Sequence, residues 1–382
     1  MQIIMKWVKL HQYIGMRKYF WFLVTFLKFL DTITRAMYAF ERFEDPISVT
    51  EITVTLPTRF LSVCKLFYLY HDRRRVEYFY KTIENEFWGF HICSPEKQSN
   101  IKRRFMFVNI ILIVTFTSGL TVLITMIIFP LVEPPEGKRP LPSINWTPFD
   151  TNPSPIYEIM YVIVFCVLVM TIIGNAFYDY TLVYAVQHLR VQFTLLKELL
   201  KNITDGILPE CSDFKKFNDE YFQRIVAERL KICIQHHVKL LKFGKNLEIF
   251  TSKIMVIQFT MSYVTLVVTG YVLNVSHINI SQVVALSVLT GVYLVELLIY
   301  CAQGTDLNQQ SLSVFEAIIE SEWHLLKAPN KRALTLFLLN SERGITLKAG
   351  GTTSVDNELL VTFLKSVFSA ITLLNSILEE KK

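Results

Sequence analysis

Residues 105–132 read FMFVNIILIVTFTSGLTVLITMIIFPLV, 28 positions in a row without a charged side chain. Wound as a helix, such a run extends for about 42 Å, more than the ~30 Å of hydrocarbon in a bilayer. Three more runs read the same way. Residues 156–178 hold one carboxylate, Glu158, near an end; 254–273 hold none; 283–304 hold only Glu296. Three weaker runs complete the set. Residues 19–40 contain Lys28, Asp31 and Arg35; 47–70 contain Glu51, Arg59 and Lys65; 355–378 contain Asp356, Glu358 and Lys365. Charge within a span is costly, so these three helices are expected to face protein or water on at least one side.

The connections between the runs take sides. Residues 1–18 carry four Lys and Arg, 71–104 eight, 181–248 eleven and 304–353 five. The intervening 43–46, 133–155, 274–280 and 379–382 carry only Lys138, Arg139, Lys381 and Lys382. Cytoplasmic segments retain basic residues, so the alternation places the N-terminus inside and, after seven spans, the C-terminus outside. The expected fold is an all-α membrane protein: one domain over 1–382 with seven transmembrane helices. Its spans fall near 19–42, 47–70, 105–132, 156–180, 249–273, 281–303 and 354–378. Residues 181–248 and 304–353 are expected to hold cytoplasmic anchor helices, and Phe222, Val226, Leu230, Cys233 and Leu240 mark an apolar face at helical spacing.

Composition agrees. Hydrophobic residues make up 52% of the 382, and mean hydropathy is +0.35, above that of an ordinary soluble domain. The net charge of +6 reads as membrane topology, not nucleic-acid binding. The six cysteines avoid the expected outside loops and lack CxxC spacing, so neither an extracellular disulfide nor a metal site is expected. No cleavable signal peptide is visible; the first span serves as the insertion signal. Phosphate loops, HExxH and GxSxG are absent from the sequence, so no enzyme and no cofactor are expected. Asp72-Arg73-Arg74 follows the second span and reads as an inner-face charge cluster, while His236-His237 reads as a solvated or core-satisfied pair. Eight of the 13 prolines fall within 130–155, where Trp146 and Phe149 would let the loop fold back as a lid. Sequons at Asn274 and Asn279 lie close to the membrane, Asn145 precedes Thr147-Pro148, and Asn202 falls inside.

Two features of the spans carry functional readings. Glu296 is the charge deepest in a strongly apolar run, a functional candidate by default; the structural alternative pairs it with Lys365 or Lys253. In the last span Ser366, Ser369, Thr372, Leu373, Ser376 and Ile377 share a broad stripe. Such a stripe lines an aqueous path, with Leu373 and Ile377 as a dewetting constriction, or lets helices pack closely.

Three stretches resemble the insect odorant receptors. They are Trp146-Thr147-Pro148-Phe149-Asp150 through Ser154-Pro155-Ile156-Tyr157-Glu158; Tyr300-Cys301 and Gly304 through Gln309-Gln310-Ser311 to Ser321-Glu322-Trp323; and Leu347-Lys348-Ala349-Gly350-Gly351 with Phe363-Leu364-Lys365-Ser366 and Thr372-Leu373-Leu374. The resemblance implies a ligand-gated non-selective cation channel in the plasma membrane, built as a heterotetramer with an odorant receptor co-receptor. It implies a pore lined by the seventh span, with Leu373 and Ile377 at the gate beside Ser369 and Ser376. It further implies a pocket for a volatile ligand in the outer half of the bundle. Phe60, Gly119, Leu123, Met126, Tyr161, Phe165, Thr290 and Tyr293 lie at that depth, aromatic and aliphatic walls with a few hydroxyls. The long second intracellular insert of the co-receptor is absent, so the resemblance is to a ligand-selecting subunit. A gustatory receptor channel and a metabotropic seven-helix receptor are the alternatives. The first lacks its terminal signature here, and the second has the opposite orientation.

Overall fold

The computed structural model describes residues 18–41, 46–89, 94–132, 139, 141–142, 146–208, 212–275 and 280–379. Among them are ten α-helices: α1 (Lys18–Glu41), α2 (Pro46–His71), α3 (Arg73–Asn85), α4 (Pro95–Val132), α5 (Ile156–Lys201), α6 (Asp213–Asn218), α7 (Glu220–Val275), α8 (Ile280–Glu320), α9 (Ala328–Ser341) and α10 (Asn357–Glu379). Two short strands, β1 (Lys348–Ala349) and β2 (Thr353–Ser354), form an antiparallel hairpin. A helix lies over each of the seven apolar runs. Helices α4, α5, α7, α8 and α10 are long and apolar enough to cross a membrane; α1 carries Lys28, Asp31 and Arg35, and α2 carries Glu51, Arg59 and Lys65.

The burial pattern divides the molecule into two zones. The first turns of α5 expose Ile156, Ile159, Val162, Ile163 and Phe165, whereas further along the same helix Leu182, Val186, Leu189, Phe193, Leu195 and Leu196 are buried. Apolar side chains facing outward at one end and inward at the other fit a helix that leaves lipid for a protein core. No proline interrupts α5, so its 46 residues stay continuous through the change. Helix α7 does the same over 56 residues. Its expected face holds: Phe222, Val226, Leu230, Cys233 and Leu240 are all buried, and Phe243, Leu247 and Phe250 continue it.

At the zone boundary the core is aromatic. Phe79 of α3 lies 5.1 Å from Phe243 and 5.6 Å from Phe250, and the Tyr178 ring stacks on Phe250 at 5.3 Å. The hairpin then sets the base of α10. Gly350 and Gly351 have φ of 63° and 77°, the left-handed region where a Cβ is unfavourable. The Gly350 N–H donates to Ser252 O of α7 at 3.0 Å. The Asp356 carboxylate accepts the Leu359 N–H at 2.9 Å and caps the first turn of α10.

Helices α1 and α2 share one buried ion cluster. Asp31 accepts from Lys28 at 2.9 Å and from Arg59 at 2.8 Å, and all three side chains are buried. The face of α1 away from this triad presents Phe22, Phe26, Phe29 and Ile33 outward. Of the proline-rich loop, residues 133–138, 140 and 143–145 lie outside the described residues, the Asn145 sequon among them. Trp146 donates its N–H to Thr34 O of α1 at 3.1 Å, while Phe149 is exposed.

Candidate functional site

The eight residues expected at pocket depth come from α2, α4, α5 and α8, and they do not form one packed group. Leu123 is buried in a small cluster with Val164 and Leu168 of α5, flanked by Ile127 and Ile172. Gly119 lies one turn away, where a Cβ would sit 3.5 Å from the Ile172 methyl, so α4 and α5 are in direct contact there. Tyr161 is half-buried beside Tyr157, with ring centroids 6.0 Å apart. Phe60 and Phe165 are 44% and 38% exposed, which puts them at the bundle surface. Thr290 is half-buried, and its hydroxyl donates to Leu286 O at 2.8 Å. Tyr293 is enclosed in the main core. The side chain of Met126 lies outside the described residues.

One turn from Tyr293 on α8 lies a buried polar cluster that joins four helices. Lys65 of α2 is enclosed; its ammonium donates to Asp179 of α5 at 2.8 Å and to Glu296 of α8. The Tyr300 hydroxyl donates to Asp179 and lies 3.1 Å from Glu296. From α7, the Gln258 amide donates to the other oxygen of Glu296 at 3.0 Å. The ammonium also sits 5.7 Å and 5.9 Å from the ring centroids of Tyr178 and Tyr300, within cation–π range. Lys65 is therefore the partner of Glu296, not Lys365 or Lys253 as expected. Lys365 is exposed on α10, away from this interior. A buried ion is tolerated when it is paired and its remaining hydrogen-bonding sites are filled. Here two carboxylates, a phenol and two rings meet one ammonium, and the Gln258 amide fills the far oxygen of Glu296.

Helix α10 has two distinct faces. Leu360 and Val367 are buried, and Phe363 and Ile371 pack against the core. Phe363 meets Phe259 and Tyr263 of α7 at 5.4 Å and 6.1 Å. The opposite face exposes Phe368, Leu373 and Ile377 at 69%, 61% and 43%, and Ser366, Ser369, Thr372 and Ser376 lie exposed with them. Three of these hydroxyls donate to their own helix: Ser366 to Thr362 O at 3.0 Å, Thr372 to Ser369 O at 2.9 Å and Ser376 to Leu373 O at 2.9 Å. With these three protons satisfied internally, the hydroxyls present oxygen lone pairs outward between the apolar side chains.

In the other zone His236 and His237 are core residues. The His236 ring stacks on Trp88 at 3.6 Å, and its Nε2 is 3.1 Å from Gln192 Oε1. Gln192 also accepts the Trp88 N–H at 2.9 Å and donates to Trp88 O at 3.0 Å. Burial, the largest influence, lowers both histidines to about 4 and keeps them neutral. The same cause lowers His188 to about 4.

The match of known proteins to this arrangement is direct. The sequence model of the family described as 7tm Odorant receptor aligns with residues 46–368, from the start of α2 into α10. The chain belongs to the odorant receptor family. Odorant receptor 82a of Drosophila melanogaster is 25% identical over 240 residues, 63% of this chain and 58% of that protein. Odorant receptor 13a of the same fly is 25% identical over 280 residues, 70% and 63%. Odorant receptor Or2 of Anopheles gambiae is 22% identical over 254 residues, 65% and 64%. The chain thus aligns with about 58–64% of the length of these curated relatives. The structure of the olfactory receptor OR5 from Machilis hrabei superposes with a TM-score of 0.74 at 14% identity, over 92% of this chain and 87% of that one. The same receptor in complex with eugenol gives 0.74 over 93% and 88%. The fold of this odorant receptor is therefore that of a solved insect olfactory receptor.

Sequence reasoning picked out Glu296 in this odorant receptor but missed Lys65, Asp179, Tyr300 and Gln258 as its partners. The signal was present: Lys65 and Glu296 are each too costly to bury alone, and α2 and α8 each carried an ion lacking a local partner.

Proposed function

We propose that this chain is the ligand-selecting subunit of an odorant-gated, non-selective cation channel. It works with an odorant receptor co-receptor as a multi-pass protein of the plasma membrane of sensory neurons, its N-terminus cytoplasmic and its C-terminus outside. The ligand is a small volatile hydrophobe held in the outer half of the bundle, where Phe60, Gly119, Leu123, Met126, Tyr161, Phe165, Thr290 and Tyr293 offer apolar walls and two kinds of hydroxyl. The α10 helices of the assembled subunits line the pore.

The observation that carries the reading is the outward face of α10. Leu373 and Ile377 stand exposed in a row with Ser369 and Ser376, although α10 is apolar and long enough to span. Ringed around an axis, such faces form a polar lining with an apolar constriction. The eugenol complex of OR5 supports a small-molecule ligand for a receptor of this fold. Ligand binding shifts the channel toward opening by favouring the open arrangement over the closed one.

Replacing Leu373 or Ile377 with serine in cells that also express the co-receptor tests the gate. Current in the absence of any odorant is expected to rise. Basal current equal to wild type, with the variant at the cell surface, removes these two residues from the gate.

A further inference from the structure

We infer that Gln258 is a positioning residue that transmits movement of α8 to the pore helix α10, through its hydrogen bond to Glu296. The inference rests on the channel reading above and deepens it.

The route can be followed atom by atom. Tyr293, at pocket depth, lies one turn from Glu296 on the same side of α8, so a ligand that displaces the Tyr293 ring displaces this face. Glu296 is the point where that face is fastened to the rest of the bundle. One of its oxygens takes the Lys65 ammonium, which also holds Asp179. The other takes the Gln258 amide at 3.0 Å. Asp179 has the Tyr300 hydroxyl as a second donor; the far oxygen of Glu296 has Gln258. The cluster thus splits the work: Lys65 and Tyr300 tie α8 to α2 and α5, and Gln258 ties it to α7. An amide donating to a carboxylate is stronger than a neutral hydrogen bond and is directional, so Gln258 follows Glu296 when α8 moves.

Helix α7 then delivers the movement. Gln258 is fully enclosed, and the next residue, Phe259, meets the Phe363 ring of α10 at 5.4 Å. One turn on, Tyr263 meets the same ring at 6.1 Å. Two turns further, α7 and α10 approach closely: a Cβ on Gly270 would sit 2.4 Å from the Ile371 side chain. From Phe363, α10 runs on to Leu373 and Ile377. Packed contacts of this kind shift between discrete arrangements and do not deform smoothly. A buried polar bond at the crossing of α7 and α8 selects which arrangements of the two helices occur together. The hydrogen bond from Gln258 to Glu296 is the only polar link from α7 to this cluster among the described residues.

The test uses the full chain expressed with its co-receptor and Gln258→Met, which keeps the side-chain length and removes the donor. Surface protein is expected to stay at the wild-type level, while saturating odorant-evoked current falls about 2- to 30-fold. Basal current opened by Leu373→Ser in the same chain is expected to be undiminished, since the pore itself is unaltered. Gln258→Met combined with Glu296→Leu is expected to do no more than Glu296→Leu alone, because either removes the same link. A purely structural contribution would instead lower surface protein and all currents in proportion, and would add in the double variant; that result overturns the inference. Where Gln258→Met fails to reach the surface, Phe363→Leu reads the same link at its far end and must show the same loss of evoked current. Full-size evoked current from a surface-expressed variant overturns the coupling and leaves the channel reading intact. Silence of the wild-type pair across a broad volatile panel overturns both.

Discussion

Replacing Gly304 with alanine probes the junction on which the position of α10 depends. A Cβ at Gly304 would lie 1.9 Å from the carbonyl oxygen of Val355 and 3.1 Å from its carbon. Backbone cannot rotate away as a side-chain end does. An ordinary carbon–oxygen contact needs about 3.3 Å, so α8 and the segment leading into α10 must separate by about 1.4 Å. That separation strains the bond from the Asn357 N–H to Thr305 Oγ1, now 3.0 Å. Overpacking of this kind costs about 1–3 kcal/mol, and the strained hydrogen bond adds about 0.5–1.5 kcal/mol. The helical preference of alanine over glycine returns about 0.5–1 kcal/mol. The expected net loss is about 2 kcal/mol. Gly291 on the same helix is the control: a Cβ there meets nothing within 4 Å, so Gly291→Ala is expected to be neutral or stabilising by up to about 1 kcal/mol. Thermal unfolding of the detergent-solubilised chain, followed by fluorescence-detected size exclusion, separates the two. At about 2 °C per kcal/mol, Gly304→Ala should melt about 4 °C below wild type and Gly291→Ala at or above it. Equal melting of Gly304→Ala and wild type, or an equal fall for Gly291→Ala, would refute the close-approach argument.

Acidification is expected to loosen the zone that holds His188, His236 and His237. His188, His236 and His237 are lowered to about 4 in the fold, against about 6.5 in an unfolded chain. The unfolded state therefore binds more protons between those values, and stability that is complete above pH ~6.5 is lost as pH falls toward 4. Melting at pH 5 should lie below melting at pH 7.5, with a smaller gap in His236→Gln; a gap unchanged by that substitution would remove His236 from the effect. Phe250→Ala empties a fully buried site between Phe79 and Tyr178. It should cost about 3–5 kcal/mol and deplete surface protein, whereas the exposed Phe214 changed to alanine should leave surface protein at the wild-type level.

What the sequence made legible was whatever has a period or a sign. The buried face of α7 through Phe222, Val226, Leu230, Cys233 and Leu240 followed from spacing, and the seven helices followed from apolar length. The rotation of the apolar helices about their own axes was not legible. A helix such as α4 is apolar on every side over 105–132, so it has no contrast from which to assign a face. Depth placed Leu123 and Phe165 together, but only three-dimensional packing distinguishes the buried Leu123 from the partly exposed Phe165. The Lys65–Glu296 pair was missed for a related reason. The two residues are 231 apart in the chain, and composition says that such an ion needs a partner without saying which. The polar stripe of α10 was legible as a stripe; that it remains uncovered in the folded chain emerged only with the structure.

The central claim is that this odorant receptor gates a cation current together with a co-receptor. Its most direct test is whole-cell current from cells expressing the chain with and without an odorant receptor co-receptor, across a broad panel of volatiles. The account predicts a rapid odorant-evoked cation current in the paired cells alone, undiminished when G-protein signalling is blocked. A current that needs G-protein signalling, or one carried in full by the chain without the co-receptor, would contradict it.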